Sequence, residues 1–148
     1  MWADPAVVQY ISGKPSTRAQ TWARMLTYAG LWSVLGYGYW AIEDRATGKF
    51  VGDVGLADFH RVIEPPIEGT PEAGWVLTPQ FYGKGYATEA VRAVLAWADA
   101  SLDYDRTVCI VAPENLASVR VAEKAGYVET AMATYNGEPT MVFVRAQR

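Results

Sequence analysis

Residues 80–90 read Gln80-Phe81-Tyr82-Gly83-Lys84-Gly85-Tyr86-Ala87-Thr88-Glu89-Ala90, and their reading decides the fold. Just upstream, Trp75-Val76-Leu77 is a short apolar strand stopped by Thr78-Pro79. Just downstream, Ala87, Ala90, Val91, Val94, Leu95 and Ala98 keep one apolar face over three helical turns. A Gly-Lys-Gly turn therefore leads from a strand straight into a helix N-terminus. The first helical N–H groups have no partners and carry the positive end of the helix dipole, so such a junction suits an anion. Glycines let main chain approach a phosphate closely, and Lys84 adds charge beside them.

Two common phosphate loops do not fit. A nucleoside-triphosphate loop needs glycine five residues before Gly83, where Thr78 stands. A dinucleotide fingerprint needs glycine where Thr88 stands. Read by itself, the turn remains either an anion site or a tight connection.

Outward from this junction, Thr107 to Val111 is an apolar, β-branched run and reads as a buried strand. Asn115 caps a helix that closes at Ala125-Gly126. Tyr127–Tyr135 and Thr140–Val144 are expected to pair around Asn136-Gly137. Towards the N-terminus, Thr17 and Gln20 have capping-box spacing. Trp22, Met25, Leu26 and Ala29 then mark an apolar helical face, with Gly30 as the expected stop. Strands are expected at Tyr39–Glu43 and Phe50–Leu56, joined by the polar connection 44–49. Arg61 to Pro71, with three prolines, two glutamates and a glycine, is the most loop-like segment. The order α, β, β, β, α, β, α, β, β predicts an α/β fold with a mixed sheet.

The 148 residues make one domain, 1–148, of which 51% is hydrophobic and 20% charged, a globular balance. Thirteen basic against sixteen acidic side chains give a net charge of −3, which argues against nucleic-acid binding. One cysteine, Cys109, excludes an internal disulfide, and with a single histidine a metal site is not expected. The longest uncharged stretch, Met25 to Ile42, is broken by Gly30, Gly36 and Gly38, so no membrane span is expected. No signal peptide is visible at Met1-Trp2-Ala3-Asp4-Pro5, and a cytoplasmic location is the default.

The spacing Gln80-x-x-Gly83-x-Gly85 with the alanine that follows resembles the pyrophosphate loop of the GNAT superfamily of acetyl-CoA-dependent N-acetyltransferases. Asn115-Leu116-Ala117-Ser118, followed by Glu123-Lys124-Ala125-Gly126-Tyr127, resembles the downstream element of the same family. The resemblance runs from about Ala3 to Val144. Glu72-Ala73-Gly74-Trp75 and the Gly-Tyr-Ala-Thr-Glu-Ala run look most like the RimJ/RimL branch, whose members acetylate ribosomal-protein N-termini and whose relatives act on small amines. The implied fold is a mixed, mostly antiparallel central sheet flanked by helices. Chains of that branch usually begin with a strand and part of a helix ahead of a segment like Asp4–Tyr10. Met1 falls almost at that segment, so the first strand is expected to be absent, leaving an open sheet edge or apolar groove. A second copy covering it, hence a homodimer, is one expectation.

What the resemblance implies is acetyl transfer from acetyl-CoA to a primary amine, a protein N-terminus or a small molecule, by direct attack in a ternary complex. Trp75, Val76 and Leu77 would meet the pantetheine arm. The amides of Gly83, Lys84, Gly85, Tyr86, Ala87 and Thr88 would hold the pyrophosphate, with Gln80 at the start of the loop. Asn115 and Ser118 would lie near the thiol end. Glu72 is the candidate base, the alternative being a solvated strand-end charge; Glu68 and Asp58 are weaker candidates. Where many members carry a tyrosine that protonates the thiolate, this chain has Ala122. Ser118 is the first replacement, with local bonding near the helix cap as its other reading. Tyr135 and Tyr127 stand in reserve, Tyr127 reading better as core.

Among the remaining residues, His60, a loop histidine with no partner nearby in sequence, either lines an acceptor pocket or is incidental, and Cys109 reads as a small core residue. Trp32, Tyr37, Tyr39 and Trp40 either pack the core or wall an acceptor pocket. Glu64, Glu68 and Glu72 either attract a cationic amine or are simply solvated. The competing function is a non-catalytic acyl-CoA-binding sensor or interaction module, which would keep the phosphate loop and lose the acceptor side.

Overall fold

The computed structural model describes residues 1–148. Six strands form one sheet in the order β1-β2-β3-β4-β6-β5, with β1 (Tyr39–Glu43), β2 (Phe50–Ala57), β3 (Glu72–Leu77), β4 (Arg106–Val111), β5 (Val128–Tyr135) and β6 (Glu138–Ala146). All neighbours pair antiparallel except β3 and β4, which run parallel and are registered at one pair only, Glu72 opposite Val108. The four helices are α1 (Pro5–Val8), α2 (Arg18–Leu35), α3 (Tyr86–Ser101) and α4 (Leu116–Lys124). This is the mixed, mostly antiparallel sheet flanked by helices that the resemblance implied. β1 stands at the sheet edge, paired only with β2. No helix is long and apolar enough to cross a membrane.

Strand alternation sorts the sheet into two faces. Val54, Leu56, Ala73, Cys109, Val111 and Phe143 point to the side where Val91, Val94, Leu95 and Ala98 of α3 and Ala122 of α4 complete the main core. Val108, Val142 and Ala133 point the other way and pack beneath Ile63 and Ile67. The Pro-rich segment is thus anchored by its two isoleucines and covers that face. Trp2, Val7 and Val8 form a third cluster, against Val76 of β3. Asp4 caps α1 through its side chain with Pro5 in the first turn, a helix too short to leave a periodic signal.

α2 departs from the sequence expectation in two ways. Gly30 does not end it; the helix continues to Leu35 and stops at Gly36, whose φ of 75° is the left-handed cap conformation. The expected apolar face also points outward, with Trp22, Met25 and Leu26 exposed and Leu31 the only buried residue of the helix. Arg24, Tyr28 and Leu31 face inward instead. Two stripes compete along this helix, and the aromatic stack of Tyr28 on Tyr39, centroids 4.6 Å apart and planes 3° from parallel, belongs to the second.

The strand limits also moved. β3 begins at Glu72 rather than Trp75, which withdraws Glu72 from solvent; the reading of Glu72 as a solvated strand-end charge is therefore overturned. At the β5–β6 turn, Asn136 and Gly137 both have positive φ, 52° and 80°, as a two-residue hairpin requires. Trp32, Trp40 and Trp97 meet edge to face, so the first two serve packing. Only Tyr39 of the four aromatics considered above reaches the cleft described below.

Candidate active site

Because β3 and β4 share one registered pair at their N-terminal ends, they separate towards their C-terminal ends. Main-chain groups of both strands are left without a strand partner there, on the two walls of a wedge. β3 leads through the glycine turn into α3, and β4 leads through Ala112–Asn115 into α4, so each strand of the wedge runs on into a helix N-terminus. A cleft of about 1010 Å³ opens here, lined by Trp75 and Val76 from one wall and by Ile110, Val111, Asn115 and Ser118 from the other. Its far part reaches Arg24, Tyr28 and Tyr39, and also Arg61, Glu72 and Tyr135.

The α3 terminus has the features of an anion site. Gly85 is its N-cap at φ 86°, in the left-handed region, and makes no side-chain cap bond. The first helical bond runs from the Glu89 amide to the Gly85 carbonyl, which leaves the Tyr86, Ala87 and Thr88 amides without intrahelical acceptors. Gly83 also has positive φ, and a Cβ at either glycine would meet nothing within 4 Å, so the turn is open to a ligand. The Lys84 ammonium donates to the Gln80 carbonyl at 2.8 Å and is held over the turn. The Tyr86 hydroxyl is engaged elsewhere, with Asp44 of the β1–β2 turn. That bond and the Thr47 and Ala46 amides hold the Asp44 carboxyl below its ordinary range.

An uncapped glycine turn following one of two splayed parallel strands is a signature more specific than either motif alone. Residues 1–128 match the family model described as an acetyltransferase (GNAT) domain. The chain belongs to the GNAT acetyltransferase family. The uncharacterized protein YkkB of Bacillus subtilis is 32% identical over 134 residues, covering 85% of this chain and 70% of its own length. A GnaT-family acetyltransferase from Bordetella pertussis superposes with a TM-score of 0.84 at 28% identity, covering 95% of this chain and 86% of that one. The spermidine N-acetyltransferase from Vibrio cholerae, solved with CoA and spermine, shares the fold at a TM-score of 0.74 and 19% identity, covering 98% and 85% of the two chains.

In this GNAT chain, the residues expected at the thiol end fall together. Asn115 caps α4, its Oδ1 accepting from the Ser118 amide at 3.2 Å. The cap consumes the Ser118 amide, and Ser118 is among the residues that line the cleft. Ala122, one turn on, is fully buried in the core, so that position offers the cleft nothing.

Glu72 is buried, and both its oxygens are engaged. Arg61 Nε donates to Oε2 at 2.7 Å and Nη2 to Oε1 at 3.0 Å, while Nη1 donates to the Tyr135 hydroxyl at 2.8 Å. Arg61 also lies over the rings of Phe59 and Tyr135, 4.7 and 5.0 Å from their centroids. Arginine cannot accept a hydrogen bond, so the Tyr135 oxygen is the acceptor and its own proton is left for the cleft. Nothing in the sequence pairs Arg61 with Glu72. They meet because the segment between them folds back onto the sheet through Ile63 and Ile67.

The weaker candidates fall outside the cleft. Asp58 accepts from the His60 and Gly69 amides and so clamps its loop. Glu68 is exposed and meets His60 Nδ1 at 2.8 Å, a partner that the sequence reading of His60 lacked. Tyr127 is core, its hydroxyl sharing a 2.8 Å hydrogen bond with Thr107. Cys109 is buried, and burial pushes its thiol far above the ordinary range, so it offers no nucleophile.

Proposed function

We propose that this chain catalyses acetyl transfer from acetyl-CoA to an amine held in the same cleft. The observation that carries this reading is the single-pair contact of β3 with β4, which opens a cleft lined by polar side chains, with β3 running on into an uncapped helix terminus. Acetyl-CoA supplies an acetyl thioester: the C–N bond to the amine forms, the C–S bond breaks, the nitrogen gives up a proton and the sulfur takes one.

The chain's own residues supply the rest. The Tyr86, Ala87 and Thr88 amides, with Gly83, Lys84 and Gly85, bind the pyrophosphate, and Gln80 fixes Lys84 above them. The free edge of β3 from Trp75 to Leu77 pairs with the extended pantetheine arm as a further strand would. Asn115 orients α4 so that the Ser118 hydroxyl stands at the sulfur and donates to it as it leaves. Glu72 was expected to take the amine proton; paired through both oxygens, it acts here as a positioning residue that fixes Arg61 and Tyr135. The amine proton leaves through water in the cleft.

Acetyl transfer is tested by incubating the protein with acetyl-CoA and a panel of peptides with free N-termini and small amines, reading acetylated product by mass. Formation of an N-acetylated product with one equivalent of free CoA thiol is expected. Tight CoA binding without transfer to any amine would make the chain an acyl-CoA sensor, and absence of CoA binding would remove both readings.

A further inference from the structure

Resting on the acetyl-transfer reading, we propose that Arg24 makes the inner end of the cleft a recognition site for an amine that also carries a carboxylate. Five charged side chains line the cleft: Arg24, Arg61, Glu72, Glu114 and Glu138. Arg61 and Glu72 neutralise each other in a forked pair, and Glu114 and Glu138 are exposed. Arg24 belongs to none of the ion pairs in the molecule. The acidic segment that would favour a polycation does not face the acceptor, because Glu64 and Glu68 lie outside the cleft and Glu72 is already paired.

Arg24 is also built in. Its guanidinium carbon lies 3.6 Å from the centroid of the Trp2 ring, which holds the side chain in place. Its Nε is buried without any hydrogen-bond partner, and the residue lines the cavity. The neighbouring acid, Asp53, feels the Arg24 charge but forms no ion pair with it; its Oδ2 accepts from Trp2 Nε1 at 3.2 Å and the Tyr28 hydroxyl at 3.4 Å. Asp53 stands behind these two side chains and does not line the cleft. The free proton of the Tyr135 hydroxyl adds a second donor on the same cavity. A planar guanidinium in no ion pair matches the two oxygens of a carboxylate and repels an ammonium.

Two sources share this chemistry: a free amino acid, through its own carboxylate, and a peptide whose first residue is acidic. Matched pairs separate them on the unaltered protein: leucine against leucinamide, and peptides beginning with Asp against the same peptides beginning with Asn, with putrescine as the carboxylate-free diamine. The carboxylate member of at least one pair is expected to show kcat/KM higher by about tenfold or more. Arg24→Gln should shrink that ratio by about tenfold, chiefly through KM, with Arg24→Lys retaining part of it. Equal use of both members of every pair, preference for putrescine, or a ratio unchanged in folded Arg24→Gln would overturn the proposal. If no amine is acetylated, the acetyl-transfer reading fails instead, and binding decides the Arg24 site: N-acetyl-leucine titrated into CoA-saturated protein should bind about tenfold more weakly to Arg24→Gln. Equal binding there would overturn the site.

Discussion

Arg61 and Glu72 meet fork to fork, with Nε to Oε2 at 2.7 Å and Nη2 to Oε1 at 3.0 Å, at the point where β3 begins to leave β4. The Glu72 side chain is 7% exposed and that of Arg61 22%. Removing either partner strands a charge, and the more deeply buried one costs more. Arg61→Leu is therefore expected to lower unfolding free energy by about 3 kcal/mol, and Glu72→Gln by less, because Arg61 keeps its bond to Tyr135. Urea unfolding of both variants checks the order. In catalysis, Glu72→Gln should lower kcat/KM without abolishing turnover; complete loss in a folded variant would restore Glu72 as the proton acceptor.

Ser118→Ala should reduce kcat by about tenfold or more while leaving the acetyl-CoA dissociation constant within about twofold. The Asn115 cap uses the Ser118 amide, so the fold keeps its α4 terminus. Unchanged turnover removes Ser118 from the mechanism.

Gly85→Ala tests the glycine turn through backbone conformation alone. At φ 86° a Cβ meets no atom within 4 Å, so the cost is that of left-handed backbone, about 1–2 kcal/mol. Relaxing that strain turns the Tyr86–Thr88 amides away, and CoA affinity measured by calorimetry should fall. An unaltered dissociation constant would separate the turn from anion binding.

Asp99 and Arg145 form a second fork, with Nη2 to Oδ2 at 2.6 Å and Nη1 to Oδ1 at 3.0 Å, joining the end of α3 to β6. Arg145 holds the Asp99 carboxyl below its ordinary value despite partial burial. A depressed folded-state pKa means stability that is present above the unfolded value, about 3.9, and lost as pH falls through the folded one. Asp99→Asn should lower stability at pH 7 and flatten its decline below about pH 4. Urea midpoints at several pH values read both effects.

Trp22→Gln and Met25→Gln distinguish the two stripes of α2. Both side chains are exposed, 60% and 57%, so each variant should lie within about 0.5 kcal/mol of the parent. A loss of about 3 kcal/mol, typical of a core aromatic, would show that this face is covered in solution.

Local chemistry was legible from residues alone wherever it depends on near neighbours. The Thr17–Gln20 capping box, the Asn115 cap, the Asn136-Gly137 turn and the Gly83–Gly85 junction are all where the spacing placed them, because each is set by atoms a few bonds apart. The order of strands and helices, α1 excepted, follows from the same signals. Periodicity could not choose between the two stripes of α2, since that choice depends on Tyr39, Trp2 and Asp53 arriving from elsewhere.

The sequence by itself therefore determined the sheet-and-helix frame, the uncapped glycine turn and the Asn115 cap beside Ser118. Only the tertiary structure decided the electrostatics of the far part of the cleft. There the pairing of Glu72 with Arg61, the direction of the Tyr135 proton and the unpaired state of Arg24 are set by contacts between chain segments far apart in sequence. Charge neutralisation is a property of such contacts, and composition carries no record of them.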